Sequence, residues 1–382
     1  MIRKISITTG TRSEYGLLRP LIEKISQDKN FQLYLIVTGM HLSKKYGLTI
    51  REIKNDGFKI SAKINMIPNG DSMIAMSDAL GRGIVNFSKV FKKIKPDINI
   101  ILGDRDEAFA SAIAASHMNI PNAHIHGGDK SKAGIDEYNR HAITKLSNIH
   151  FAATRKSAKR ILKMGENPKF IVFSGSPGID EIKKNKISSK NFLEKKYTIR
   201  LTGKEIILLQ HPVTTQVKQS SNQIKNTLDA ISKTKLTTIA IAPNSDAGNK
   251  AIFNNLKMYS KKYSFIKVYK NIPRADYLGF LRYCGVLVGN SSSGIIEASY
   301  FSIPVINIGI RQDNRETGRN VTNIKNFDQK QIHSAIKKAL KIKNVKNCSS
   351  NIYGDGNSSE IIIKFLSKLK INDELLQKQI HY

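Results

Sequence analysis

Residues 286–321 read VLVGNSSSGIIEASYFSIPVINIGIRQDNRETGRNV, and the punctuation of this stretch decides the fold. An apolar run, Val286 to Val288, ends at Gly289-Asn290-Ser291-Ser292-Ser293-Gly294, and a helix-like segment carrying Glu297 comes next. A second apolar run, Val305 to Ile308, ends at Gly309 and is followed at once by Arg311, Arg315 and Arg319. A short apolar run closed by small residues and a helix start reads as a buried strand feeding a helix. Such a junction points backbone N–H groups and hydroxyls at an anion. An acid in the first turns of that helix can take a ribose diol, as its counterpart does in dinucleotide folds. The stretch therefore predicts a nucleotide-diphosphate site in an α/β protein.

The same alternation runs outward through the chain. Strands are expected at 2–9, 31–38, 58–64, 97–102, 121–125, 150–153 and 170–173, then at 205–210, 237–242 and 265–269. Helices are expected over 17–27, 46–56, 72–94, 107–118, 136–146, 275–283, 329–340 and 358–369. Residues 10–16 read as a loop after the first strand, and 183–202 as a Lys- and Ser-rich solvated connection without periodicity. Strand–helix alternation argues for parallel sheets, and a length of 382 residues suits two doubly wound halves. Ligands of such sheets lie beyond the carboxyl ends of the strands. Both halves carry polar, glycine-rich clusters there, which predicts a substrate in the cleft between two domains.

Composition narrows the partners. No apolar run approaches the roughly 20 residues of a membrane span, and the N-terminus enters a strand pattern without a signal-peptide core. A cytoplasmic protein that does not bind membranes is expected. Cys284 and Cys348 form no metal or redox spacing and read as reduced, packed thiols. The formal net charge is +32, from 62 Lys and Arg against 30 Asp and Glu. Its lysines are spread along the chain, with 183–186 and 337–346 the nearest things to patches. Dispersed charge reads as solvated surface that favours an anionic substrate, and no nucleic-acid partner is expected.

Five post-strand loops hold the chemistry: Arg12; Asp104 and Arg105; His126 with Asp129; His211; and Ser291-Ser292 with Glu297 and Arg311. Taken singly, a strand-end Asp or His is as often a cap or turn former as a catalyst. No Walker A lysine motif, no GxGxxG and no metal-ligand spacing is present. Neither a metal nor a cofactor is expected.

Together these loops carry a resemblance. The stretches are Thr9-Gly10-Thr11-Arg12-Ser13-Glu14-Tyr15-Gly16, Leu102-Gly103-Asp104-Arg105, His126-Gly127-Gly128-Asp129 and residues 136–145 (DEYNRHAITK). Residues 210–215 (QHPVTT), 289–294, Arg311-Gln312, Arg315-Glu316-Thr317-Gly318 and 352–357 (IYGDGN) complete them. In this order, nearly end to end, the chain resembles the hydrolysing UDP-N-acetylglucosamine 2-epimerases of sialic-acid synthesis, including the epimerase half of the animal bifunctional enzyme. The resemblance implies a GT-B fold of two Rossmann-like domains, 1–175 and 176–357, with 358–382 packing back on the first. It also implies a nucleotide-sugar substrate, and a homo-oligomer, dimer or tetramer, is expected. Carried over, Ser291 and Ser292 would bind the diphosphate and Glu297 the ribose. Arg311, Arg12, Arg105, His211, Asn244 and Ile272 would complete the UDP shell.

The reaction so implied turns UDP-N-acetylglucosamine and water into N-acetylmannosamine and UDP. Breaking the anomeric C1–O bond puts negative charge on the diphosphate, which Arg12, Arg105, Arg311, His211 and the Ser291-Ser292 helix start would stabilise. One group must take the C2 proton, giving a glycal, and another must return a proton to the opposite face while water adds at C1. The candidates are Asp104, Asp129, Asp136 and Glu137 with His126 and His211, and Asp104 and Glu137 are favoured. Relatives usually have Glu at position 129, so the shorter Asp129 suits direct proton transfer less well. Position 126 is Glu in the animal enzyme and His in some bacterial ones, which leaves His126 as acid, base or hydrogen-bonding group.

The nearest rival substrate is the UDP- or GDP-linked 2,4-diacetamido sugar of the legionaminic-acid route, a branch that residues 41–49 (HLSKKYGLT) resemble. Arg315 to Gly318 reads as a branch-specific loop near the sugar. A GT-B glycosyltransferase and a nucleic-acid-binding module are the more distant alternatives, since fold alone does not fix a reaction.

Overall fold

The computed structural model describes residues 2–70, 72–132, 134–184, 187–342 and 351–382. Cys348, residues 343–346 of one lysine patch and residues 185–186 of the other lie outside the described residues.

Two parallel sheets form the frame. The first comprises Arg3–Thr9 (β1), Phe31–Thr38 (β2), Ile60–Ile64 (β3), Ile98–Leu102 (β4), Asn122–Ile125 (β5), Ile149–Ala152 (β6) and Ile171–Phe173 (β7), in the order β3-β2-β1-β4-β5-β6-β7. The second comprises Ile206–Leu209 (β8), Thr238–Ile241 (β9), Ile266–Tyr269 (β10), Val286–Gly289 (β11), Val305–Ile308 (β12) and Val321–Ile324 (β13), in the order β10-β9-β8-β11-β12-β13. The central strands are near-continuous apolar runs because helices cover both faces of a parallel sheet. β4, β8, β11 and β12 are buried along their whole length.

Strand order reverses between β1 and β4 in the first sheet and between β8 and β11 in the second. Those are the crevices where open α/β sheets bind ligands. The loops bearing Arg12 and Arg105 flank the first crevice, and those bearing His211 and Ser291 flank the second. At the second, β11 pairs with β8 through Gly289 and Leu209. Gly289 has φ +140°, and a Cβ there would run into the Leu209 carbonyl, so only glycine lets the loop leave the sheet this way.

The alternation was legible, but several elements differ from expectation. The first helix spans Arg12–Gln27 rather than starting at Leu17, because Thr11 accepts the Glu14 N–H while Glu14 bonds back to the Thr11 backbone. That capping box places Arg12 in the first helical turn. Within the expected solvated connection, Lys190–Tyr197 is a helix capped by Ser189, anchored by the fully buried Leu193. Helices Arg155–Lys163, Ser220–Ser232 and Asn249–Lys262 and the edge strand β13 were not anticipated. The helix after β11 is a single turn, Ser293–Ile296, with Glu297 at its C-terminal end.

Helix Ser358–Lys368 buries Ile362 and Leu366 in the first sheet's core beside Ile5, Leu18 and Ile22. Each such side chain contributes about 1.5–3 kcal/mol. Asp180 accepts the Ser358 and Ser359 N–H groups at 2.9 and 2.6 Å, fixing this helix to Pro177–Lys184. Ile179 and Ile182 of that helix belong instead to the second sheet's core, an arrangement on which we propose the domain division at 175/176.

Candidate active site

Between the sheets lies a cleft of about 240 Å³ lined from both sides. Of the sequence-derived residues, Arg12, Asp104, Arg105, His126, Asp136, His211, Asn244, Ser291, Ser292, Glu297 and Arg311 line it. Asp129, Glu137 and Ile272 do not.

The second-domain wall is a set of donors held in place. Asn290 ties two loops together, its Oδ1 accepting the His211 N–H at 2.7 Å and its Nδ2 donating to the His211 carbonyl at 2.9 Å. The Asn244 backbone N–H donates to His211 Nδ1 at 3.1 Å, which leaves the proton of the neutral ring on Nε2. Burial, with Arg311 and Arg105 nearby, pushes the His211 imidazole well below its ordinary value, so it serves as a neutral N–H donor. Glu297 pairs with Arg274 and accepts from the Ser293 hydroxyl. Arg274 also bonds Glu181 at 2.7 Å.

The first-domain wall sets carboxyls among arginines. Asp104 pairs with Arg140, a guanidinium that is 1% exposed and also bonds Glu137. Burial alone would raise the Asp104 carboxyl, but Arg140, Arg315 and Arg311 outweigh it and hold Asp104 below the ordinary carboxylate value. Asp136 goes the other way. Burial and the Asp104 charge lift it to about 7 despite Arg311, whose Nη2 lies 2.9 Å from its Oδ2. Two neighbouring carboxyls with values pushed apart are the pattern of an acid and a base.

Arg12 is half-buried, its side chain 15% exposed, and its buried Nη1 makes no hydrogen bond among the described residues. The ion-pair partner of Arg12, the Glu52 carboxylate, is 3.9 Å away. A cation at the cleft wall with one nitrogen buried and so thinly paired suits an anion in the cleft. Arg105 reaches across to Asp246 at 3.3 Å and Ser245 at 3.1 Å.

Glu137, favoured on sequence, bonds the Ser131 N–H at 2.8 Å and His141 at 3.0 Å besides Arg140, away from the cleft. Its neighbour Asp136 faces the cleft in its place. Asp129 is 2% exposed and is held by Ser157 at 2.7 Å, Arg315 at 2.8 Å and His126 at 3.2 Å. His126 lines the cleft in a left-handed backbone conformation, φ +67°. Both its ring nitrogens are taken, Nδ1 by Asp129 and Nε2 by Ser176 Oγ at 2.9 Å, so the hydrogen-bonding role fits it better than proton transfer. Ile272 is fully buried beneath the cleft, which its neighbours Lys270 and Asn271 line. Arg140, Arg274 and Tyr277 also line the cleft and were not singled out from sequence, and Gln312, quoted there only as part of a motif, lines it too. Arg140 carried one legible signal, its i,i+3 spacing from Glu137 and i,i+4 spacing from Asp136 on one helix.

Two parallel-sheet domains around a cleft rich in arginine define a GT-B-like fold. Residues 23–367 match the family profile described as UDP-N-acetylglucosamine 2-epimerase, and the chain belongs to that family. It is 38% identical over 378 residues, 99% of each chain, to the UDP-N,N'-diacetylbacillosamine 2-epimerase (hydrolyzing) of Legionella pneumophila. It is 37% identical to the polysialic acid biosynthesis protein P7 of Escherichia coli, covering 85% of this chain and 83% of that one. Among solved structures, UDP-GlcNAc 2-epimerase of Methanocaldococcus jannaschii in complex with UDP-GlcNAc and UDP superposes with a TM-score of 0.80. That pair shares 21% identity and covers 95% of this chain and 99% of the other. The enzyme of Neisseria meningitidis bound to UDP-GlcNAc also gives 0.80, at 20% identity, covering 96% of this chain and all of that one. At such identities the structures establish the fold.

Proposed function

We propose that the protein converts UDP-N-acetylglucosamine and water into N-acetylmannosamine and UDP. The observation that carries this reading is the Asp104–Asp136 pair, two carboxyls of opposite protonation tendency in one cleft with Arg12, Arg105, Arg311 and His211. Asp104, held ionised, takes the C2 proton as the C1–O bond breaks. The bonding pair leaves with the diphosphate, whose charge falls to Arg12, Arg105, Arg311, the His211 Nε2–H and the Ser291-Ser292 loop. Asp136, protonated, returns a proton to the other face of C2 of the glycal. Water adds at C1, and the proton it loses restores Asp136. Asp104 gives its proton to solvent. Glu297 takes the ribose hydroxyls.

The Ser131, Arg140, Gln312 and Arg315 side chains line the same cleft and give the sugar a polar wall. The second reading, a UDP-linked 2,4-diacetamido sugar, is favoured by the near end-to-end match to the Legionella enzyme and by residues 41–49. Incubation with each nucleotide sugar in heavy water distinguishes the two. We expect UDP and free N-acetylmannosamine carrying deuterium at C2. Turnover of the diacetamido substrate alone would select the second reading, and recovery of an intact C2-epimeric nucleotide sugar would overturn hydrolysis. A cytoplasmic dimer or tetramer completes the proposal, and sedimentation of the purified protein tests the assembly.

A further inference from the structure

Arg311 is committed twice before any substrate arrives. Its Nη1 donates to the Asn290 carbonyl at 3.3 Å, on the loop that carries Ser291 and Ser292, and its Nη2 donates to Asp136 across the cleft at 2.9 Å. Both side chains are about nine-tenths buried, and Arg311 Nε makes no hydrogen bond among the described residues. A diphosphate seated on the Ser291-Ser292 loop would compete with Asp136 for this one guanidinium. Phosphate and carboxylate are both natural bidentate partners of arginine, but the diphosphate brings the larger charge.

The charged groups facing Asp136 leave it one way to adjust. Asp104 comes from the loop after β4, where it is already paired with Arg140, and Arg105 from the same loop is engaged by Glu107 and Asp246. Asp246 and Arg311 come from the second domain. Without Arg311, Asp136 would be a buried carboxylate beside Asp104 and next to an incoming polyanion, an arrangement far costlier than a neutral carboxyl. We infer that the substrate's diphosphate takes Arg311 from Asp136 and that Asp136 answers by taking one proton from solvent, so that substrate binding itself loads the acid needed at C2. This rests on the reading of the cleft as a UDP-sugar site. Burial and Asp104 already lift Asp136 to about 7 with Arg311 in place, so a modest further push protonates it. By linkage, UDP affinity must then fall as pH rises, by up to tenfold per pH unit.

Calorimetric titration of the full chain with UDP, at about pH 8 in two buffers of different ionisation enthalpy, counts the protons. At that pH the terminal phosphate of UDP, with a second pKa of about 6, is already ionised and takes up none. The expected result is uptake of nearly one proton per UDP, declining as the pH is lowered towards about 7, where Asp136 is increasingly protonated before binding. Asp136→Asn should abolish the uptake while UDP still binds. The slope of UDP affinity against pH in the unaltered protein gives the same count without a variant. Zero uptake, or uptake that survives Asp136→Asn and so belongs to His211, would overturn the inference. Failure of the unaltered protein to bind UDP at all would instead overturn the UDP-site reading beneath it.

Discussion

The two walls of the cleft are built from the same unit, a parallel strand ending in a polar loop, yet their charges are arranged for different work. On the second-domain wall, donors are locked by neutral contacts: His211 is fixed by Asn244 and Asn290, and the Ser291-Ser292 loop is set by the Gly289 turn. On the first-domain wall, carboxyls are set against one another, Asp104 held down by Arg140 and Asp136 lifted by burial and by Asp104 itself. On the proposed reading, one wall is preorganised to hold an anion, and the other, which adds Arg12 and Arg105 to that grip, is poised to move protons. The two communicate through Arg311–Asp136 and Arg105–Asp246.

Substitutions should separate the walls. The largest effect is expected from Asp104→Asn, which should lower kcat about 10²–10⁴-fold, the usual worth of a general base, with UDP affinity little changed. Equal losses in both would dissolve the distinction. Glu297→Ala should do the reverse, weakening UDP about 10- to 100-fold by calorimetry, as loss of a charged hydrogen bond does, while kcat at saturating substrate changes less. Glu137→Gln should cost roughly tenfold in kcat, about 1.4 kcal/mol, because Glu137 acts through Arg140. The pH profile should keep its shape in that variant, and a lost limb would restore Glu137 as a proton carrier.

The smallest effect is a shift in pH dependence. The proposed mechanism needs Asp136 protonated, and its value in the free protein is about 7. kcat/KM should therefore fall as pH rises through about 7, since the protonated form is lost above that value. The same mechanism needs Asp104 ionised, and it lies below the ordinary range, so the acid limb is expected under about pH 4. Since binding loads the proton on Asp136, the alkaline limb of kcat should lie above that of kcat/KM.

Much of this was legible in the sequence for one reason: polar residues directly after apolar runs can only lie at the strand ends, where both crevices open. The rest depended on facts that a linear pattern does not hold. Asp136 and Glu137 are adjacent on one helix, about 100° apart, and the packing of Ile135–Leu146 against the Asp106–His117 helix decides which faces the cleft. Arg140 is buried between Glu137 on its own helix and Asp104 from another strand-end loop, and the local spacing alone does not mark an arginine as interior. The Arg12 helix start is different. Its Thr11-x-x-Glu14 capping signature stood in the sequence and outweighed the loop-like look of Gly10 to Gly16.

The central claim, that Asp104 removes the C2 proton and Asp136 returns one, is tested most directly by ¹H NMR of Asp136→Asn with UDP-N-acetylglucosamine. Elimination should proceed while reprotonation stalls, so UDP should appear together with the unsaturated 2-acetamido glycal, identified by its vinylic C1 proton. Absence of glycal from Asp136→Asn, with its appearance from Asp104→Asn instead, would contradict the assignment.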